Sequence, residues 1–252
     1  MTTHVQFGAL GQSVHRALSQ APTETSPIRR ARRAGLLYLA VAVLGAFAQI
    51  VRVQVYVPDD AAKTASNVVA HAALLRLSFV ADLVQALVFL FLALALYRLF
   101  EHAGRGLARA MVIFVVVSVA ITCLNMVNQL GALLVATHPS YANTFGARGS
   151  HSLVLLLMDM HHNGYLIAQL SWLWLFALGM LGYRSGMFPR PLALLLMLGT
   201  VCYVIDALLQ FLAPGFADVS AKLFILPETL SELSLLAYLL IKGVKTPRSL
   251  RS

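Results

Sequence analysis

The chain has 252 residues, of which 59% are hydrophobic and only 12% charged, and it carries a formal net charge of +9. Average soluble domains carry about twice that charged share, and apolar runs of about 20 residues recur here, each able to cross roughly 30 Å of hydrocarbon as a helix. An ordinary soluble domain is excluded, and the nineteen Lys and Arg lie between the apolar runs, where they build no basic groove for nucleic acid.

The first 31 residues are polar and basic, and they read as a disordered cytoplasmic tail. Arg29 to Arg33 followed by an apolar stretch and Ala46-Phe47-Ala48 has the look of a cleavable signal, but the apolar run continues to Val57. It is therefore expected to stay as the first span. Five further runs follow, and the six are expected near 34–57, 73–98, 110–136, 151–183, 191–213 and 223–241. Helix is the state that satisfies backbone groups in lipid, and a run such as Leu87-Val88-Phe89-Leu90-Phe91-Leu92 lacks the alternation of a barrel strand. The expected fold is an all-α membrane bundle over residues 32–244, with a short basic tail over 245–252.

Between the first two spans, Pro58-Asp59-Asp60 and the residues to Asn67 read as a turn, an Asp cap and a short helix on the outer side, either a lid or a plain connector. The second span contains Arg76 and Asp82, and the third contains Asn125 and Asn128. In the fourth, Asp159, His162 and Asn163 stand at i, i+3 and i+4 on one face, with His161 about 100° away. Asp159 and His162 could give a divalent metal one carboxylate and one imidazole, although two ligands on one helix make no site and no HExxH or Cys-pair spacing accompanies them. No cofactor is otherwise expected. The fifth span carries Asp206. The sixth contains Leu226-Pro227-Glu228-Thr229, which reads either as a helix start with a broken segment before Pro227 or as an ordinary proline kink, and Glu232 follows Glu228 at i+4. Cys123 and Cys202 fall inside apolar runs and read as small hydrophobes rather than a disulfide pair.

Fourteen of the nineteen Lys and Arg fall in the two tails, the second-to-third connection and the fourth-to-fifth connection. The positive-inside rule then places both termini in the cytoplasm, with the cytoplasmic or inner membrane as the location. Tyr97-Arg98, Tyr183-Arg184 and Tyr238 with Lys242 end the even-numbered spans on that side, as an interfacial aromatic belt would.

Each ionisable group inside a span costs roughly 2.5–3.5 kcal/mol at a helix centre unless paired or wetted, so their depth carries information. Counted from the cytoplasmic ends, Asp82, Asn125, Asn128, Asp206 and Glu228 fall in the outer third, Arg52, Arg76 and Asp159 at the outer mouth, and Glu232 near the midplane. The inner half is nearly pure Leu, Ala, Phe and Val. An outward polar cup above an apolar plug is expected, with pairs such as Arg76 and Asp82, or Arg76 and Glu228, neutralising it.

Several short segments occur in an order that resembles a family of bacterial membrane proteins catalogued as domain of unknown function 4386. They include Arg33-Ala34-Gly35-Leu36-Leu37-Tyr38, Leu75-Arg76, Asp82, Leu96-Tyr97-Arg98, Gly182-Tyr183-Arg184-Ser185-Gly186, Pro189-Arg190, Tyr203 with Asp206, and Glu232 before Leu239-Leu240-Ile241-Lys242-Gly243. Ala193 and Tyr238 depart from the pattern, where glycine and tryptophan are usual. The resemblance covers residues 32–244 and implies a six-span bacterial membrane protein; it brings no activity with it.

The residues themselves leave three functions open. The first is a non-enzymatic membrane protein whose outward cup, lined by Arg76, Asp82, Asn125, Asp206, Glu228 and Glu232, binds a small polar or amphiphilic ligand as a transporter-like protein, sensor or accessory subunit. The second is a metal-assisted hydrolase acting on an outer-leaflet lipid with Asp82, Asp159, His162 and a carboxylate of the sixth span. The third is a structural partner of another membrane protein.

Overall fold

The computed structural model describes residues 26–169 and 172–245; the expected disordered tail up to residue 25 and the last seven residues lie outside them. The chain is all-helical among these residues, with eight α-helices: α1 Pro27–Val55, α2 Ala61–Ala70, α3 Ala72–Phe100, α4 Arg105–Thr137, α5 Pro139–Gln169, α6 Leu173–Ser185, α7 Arg190–Leu212 and α8 Ala217–Ile241. Two 3₁₀ turns, at 101–103 and 214–216, join neighbours. Six stretches are long and apolar enough to cross a membrane, the fourth running through both α5 and α6.

Local chemistry explains most of the ends. Ser26 caps α1, its hydroxyl accepting from the Arg29 amide at 3.4 Å, and Pro27 occupies the first turn, where its missing N–H costs nothing. As expected, Asp60 caps α2 by accepting from the Lys63 amide at 2.9 Å. Gly186, at φ +67°, supplies the left-handed residue that ends α6. Within α5, Gly146 at φ +70° and ψ 165° is non-helical and marks a kink between two helical stretches, so a short helix leads into the fourth span.

Of the two readings of Pro227, a helix start after a broken segment and a proline within one helix, the second holds, because α8 runs unbroken from Ala217 to Ile241 with Pro227 inside. Proline forfeits a single hydrogen bond, the one to the carbonyl four residues back, whereas a break would expose several backbone groups to lipid.

The helices close into a ring, α1 packing on α3, α3 on α4, α4 on α6, α6 on α7, α7 on α8 and α8 back on α1. Helix α5, which shares the fourth apolar stretch with α6, packs against α4 and touches α7, and α2 lies across α5 and α4. Both described chain ends lie at one end of the ring, where a side chain on Gly243 would touch Ile28. There Arg32 donates to the Ile241 carbonyl at 3.2 Å, placing a cation at the C-terminus of α8.

Apolar residues line the ring's outside as well as its core at that end. On α1, Leu36, Val43 and Ile50, spaced by seven, are each about 60% exposed, the face a lipid-embedded helix presents. Inside, Trp174 meets Tyr38 and Phe89 edge-on, at 6.1 and 5.3 Å between ring centroids, and Phe188 packs between Phe100 and Tyr238. This cluster also takes Leu92, Leu96, Met111, Leu178 and Leu196, all fully buried, and fills the end of the bundle that holds the termini. The expected apolar plug is present.

Helices α7 and α8 touch most closely at Gly199, where a Cβ would sit 2.4 Å from the Ser231 hydroxyl. Gly199→Leu forces this interface apart and lowers stability by about 1–3 kcal/mol. Gly106→Leu, with open space around it, leaves stability within about 0.5 kcal/mol of wild type. Unfolding midpoints of the two variants in detergent check the difference.

Candidate functional site

The half of the bundle away from the chain ends holds the polar groups, arranged in two systems. The first surrounds a cavity of about 110 Å³ enclosed by α1, α3, α4 and α5. Helix α1 offers Gly45, Gln49 and Arg52, spaced i, i+4 and i+7, so one stripe of the helix faces inward. Helix α3 presents Asp82, Gln85 and Phe89 at the same kind of spacing, and α4 presents Ser118, Thr122 and Asn125. His161 and Tyr165 of α5 and the ring of Trp172 complete the wall.

A single ion pair organises this cavity. The Arg52 guanidinium donates to an Asp82 carboxylate oxygen, and its Nε and second terminal nitrogen fork onto Gln49 Oε1 at 3.2 and 3.0 Å. Asp82 is only 5% exposed. The pair joins α1 to α3, and a Cβ on Gly45 would meet the Gln85 amide at 2.9 Å, so the two helices are in close contact beside it. Sequence reasoning expected Arg76 as the cation. Arg76 is exposed, forms no hydrogen bond or ion pair among the described residues and does not line the cavity. Arg52 lies one helix over, on the face that meets Asp82, which no count of depth along a single span could reveal.

Asn125 is held as firmly. Its amide nitrogen donates to the His161 carbonyl at 2.7 Å, its side-chain oxygen accepts from Asn128 at 3.1 Å, and His161 Nδ1 lies 3.2 Å from the Asn125 carbonyl. That last contact makes Nδ1 the nitrogen carrying hydrogen. The arrangement depends on Gly164, where any Cβ would fall 2.1 Å from the Asn125 side-chain oxygen. One turn further along α4, Gln129 donates to Ser78 Oγ and the Leu75 carbonyl, at 3.1 and 3.3 Å.

The second system is an acidic row between α7 and α8. Tyr203 of α7 donates to Glu232 Oε1 at 3.1 Å, Gln210 donates to Asp206 Oδ2 at 2.8 Å, and Glu228 lies one turn before Glu232. None of these acids lines the cavity. The two systems meet through aromatic rings, since Trp172 of the cavity wall packs against Tyr203 at 4.1 Å between centroids, the rings tilted by 55°. The cup of the sequence reading thus separates into a cavity containing Asp82 and Asn125 and a row containing Asp206, Glu228 and Glu232.

Asp159 and His162 occupy a third place. Asp159 accepts from the Tyr56 hydroxyl at 2.6 Å, and the His162 ring stacks on Tyr56 at 5.6 Å. Burial first, then the hydrogen bond and charge of Asp159, hold the Tyr56 hydroxyl well above its ordinary range and keep it a donor. Asn163 turns back to donate to the Asp159 carbonyl at 2.8 Å. Among the described residues, no three His, Cys, Asp or Glu side chains gather as a metal site. The set proposed for a hydrolase is thereby spread over the cavity, the Tyr56 contact and the α7–α8 row.

The short helix α2 does not cover the cavity. It borders a separate, larger groove of about 430 Å³ against α4 and α5, with Ala65, Ser66, Val135 and His151 among its walls. Sequence reasoning left Gln49, Gln85, Ser118, Thr122, Tyr165 and Trp172 unremarked. Their signal was the recurrence of polar side chains at i, i+3 or i+4 and i+7 along α1, α3 and α4.

Arg52→Leu leaves Asp82 buried without its cation, which destabilises by about 3–5 kcal/mol, whereas Arg52→Leu together with Asp82→Leu recovers most of that loss. A double-mutant cycle on unfolding midpoints measures the coupling.

No curated protein and no solved structure matches the chain. Residues 33–243 match the family model described as Domain of unknown function (DUF4386), and the chain belongs to that family.

Proposed function

We propose that this protein is a non-enzymatic, multi-pass membrane protein that binds a small polar ligand, or the polar end of an amphiphile, in the cavity around Arg52 and Asp82. It serves as a transporter-like protein, a sensor or an accessory subunit. The observation that carries this reading is the convergence of Gln49, Arg52, Asp82, Gln85 and Asn125 from three helices on one internal space. Ionisable groups at membrane depth are costly and mark sites of function by default. The size of the space narrows the class. At about 110 Å³ it is smaller than the 300–1,000 Å³ pockets that take drug-sized molecules, and smaller than the roughly 150 Å³ cavity that admits benzene. Because Asp82 already neutralises Arg52, the groups left to greet a ligand are amides and hydroxyls, which suits an uncharged or zwitterionic hydrogen-bonding molecule.

The distribution of Lys and Arg supports both chain ends in the cytoplasm, and with it a cavity lying toward the outer face of the cytoplasmic membrane. Once Cys123 and Cys202 are replaced by alanine, Ala62→Cys in intact cells reacts with a membrane-impermeant maleimide. His102→Cys reacts only after the cells are opened. The reverse pattern overturns the orientation.

Thermal-shift screening of purified protein against small amino acids, polyols and amides tests the ligand class. A binder raises the midpoint of wild type, and the rise is lost in Asn125→Leu and Gln85→Leu. A shift that survives in both variants places binding elsewhere and defeats the cavity assignment.

A further inference from the structure

The acidic row between α7 and α8 plays no part in the cavity, and its chemistry is incomplete as the protein side chains stand. Asp206 is 6% exposed and Glu228 is 8% exposed, so each is more than nine-tenths buried. Asp206 Oδ1 and Glu228 Oε1 are both out of contact with solvent and lack any hydrogen-bond partner among the described residues. The remaining oxygens are served differently. Gln210 reaches only Asp206 Oδ2, and Tyr203 reaches Glu232. The Ser231 hydroxyl is turned to the Glu228 backbone carbonyl at 2.7 Å, away from the carboxylate.

Among the described residues no cation is paired with these acids. Arg52 is engaged with Asp82, and the one Lys within the described part of α8 before its last turn, Lys222, is exposed. The groups within electrostatic reach of Glu228 and Glu232 are Asp206 and the thiol and hydroxyls of Cys202, Tyr203, Tyr165 and Tyr38, drawn from α7, α5 and α1. A carboxylate taken from water with no partner loses several kcal/mol of solvation, so it takes up a proton or a cation. The donor set decides between them. A bound metal ion needs several oxygens around one point, and no group of three candidate ligands occurs among the described residues. A proton needs only one carboxylate oxygen, and Asp206 Oδ1 and Glu228 Oε1 are each buried without a partner.

We propose that Asp206, Glu228 and Glu232 form a proton-binding site between α7 and α8. Each uptake adds one proton from water to a carboxylate oxygen and removes one negative charge from the bundle interior; release returns the proton to water. Protonation removes the buried charge that no cation offsets, which is the form of these carboxyl groups that the bundle interior tolerates. The row touches the cavity wall through Tyr203 and Trp172, so a change of its charge sits one ring contact from the ligand space. This site does not rest on the ligand reading and stands or falls separately.

Infrared difference spectroscopy on the full-length protein in lipid nanodiscs tests it. Between about pH 5 and about pH 9, across the range between ordinary carboxylate and ordinary lysine titration, wild type is expected to show a reversible carboxylic-acid carbonyl band that shifts in deuterated water. Glu228→Gln and Asp206→Asn each lose a component of that band while keeping the circular dichroism and unfolding midpoint of a folded bundle. Asp60→Asn, at the α2 cap, leaves the band unchanged and serves as control. Absence of any acid band over this range, or a band indifferent to Asp206→Asn, Glu228→Gln and Glu232→Gln alike, overturns the proposal. Disappearance of the band when sodium replaces choline at constant pH also overturns it, because the occupant is then a metal cation.

Discussion

Hydrocarbon offers no hydrogen bonds, and the consequences of that one fact run through the whole molecule. Backbone groups are satisfied inside helices, which is why α8 passes through Pro227 rather than breaking before it. Side chains obey the same constraint. Arg52 is matched to Asp82 and Gln49, Asn125 to Asn128 and the His161 carbonyl, and Gln129 to Ser78 and the Leu75 carbonyl. Each match crosses between helices or spans a turn, so satisfying the polar groups also fixes which helices are neighbours and in what register.

The outcome is a bundle with two unlike halves. At the end that holds the termini, aromatic rings and leucines interlock around Trp174 and Phe188, and the loop after α6 is tied to the chain end by the Lys245 amide and the Tyr238 hydroxyl, both donating to the Met187 carbonyl at 3.0 and 3.1 Å. Such a core leaves little room for a ligand, because close-packed interiors have few voids larger than a water molecule. The opposite half accepts polar groups at the cost of exact pairing. Small residues make that pairing possible. Gly164 lets Asn125 reach α5, and Gly199 brings Ser231 against α7.

Two strategies for neutrality coexist at that end. Around the cavity an acid is neutralised by a base, which leaves amides and hydroxyls free to meet a ligand. Between α7 and α8 the acids meet the Tyr203 hydroxyl and the Gln210 amide, and no base among the described residues is paired with them. The contact of Trp172 on Tyr203 joins the two regions through aromatic packing rather than through an ion pair.

Membrane class, the six apolar stretches and the concentration of polar groups toward one end are all written along the chain, because hydropathy and helical rise depend only on the order of residues. So is the cap at Asp60, which acts within a single turn. What the linear order leaves open is which face of one helix meets which face of another. The ring closure from α8 back to α1, the choice of Arg52 over Arg76 for Asp82, and the division of the acids between a cavity and a separate row follow from packing. Two residues at equal depth on different helices can stand side by side or across the bundle. Only the close contacts at Gly45, Gly164 and Gly199, and the rotation they impose on their helices, decide between those arrangements.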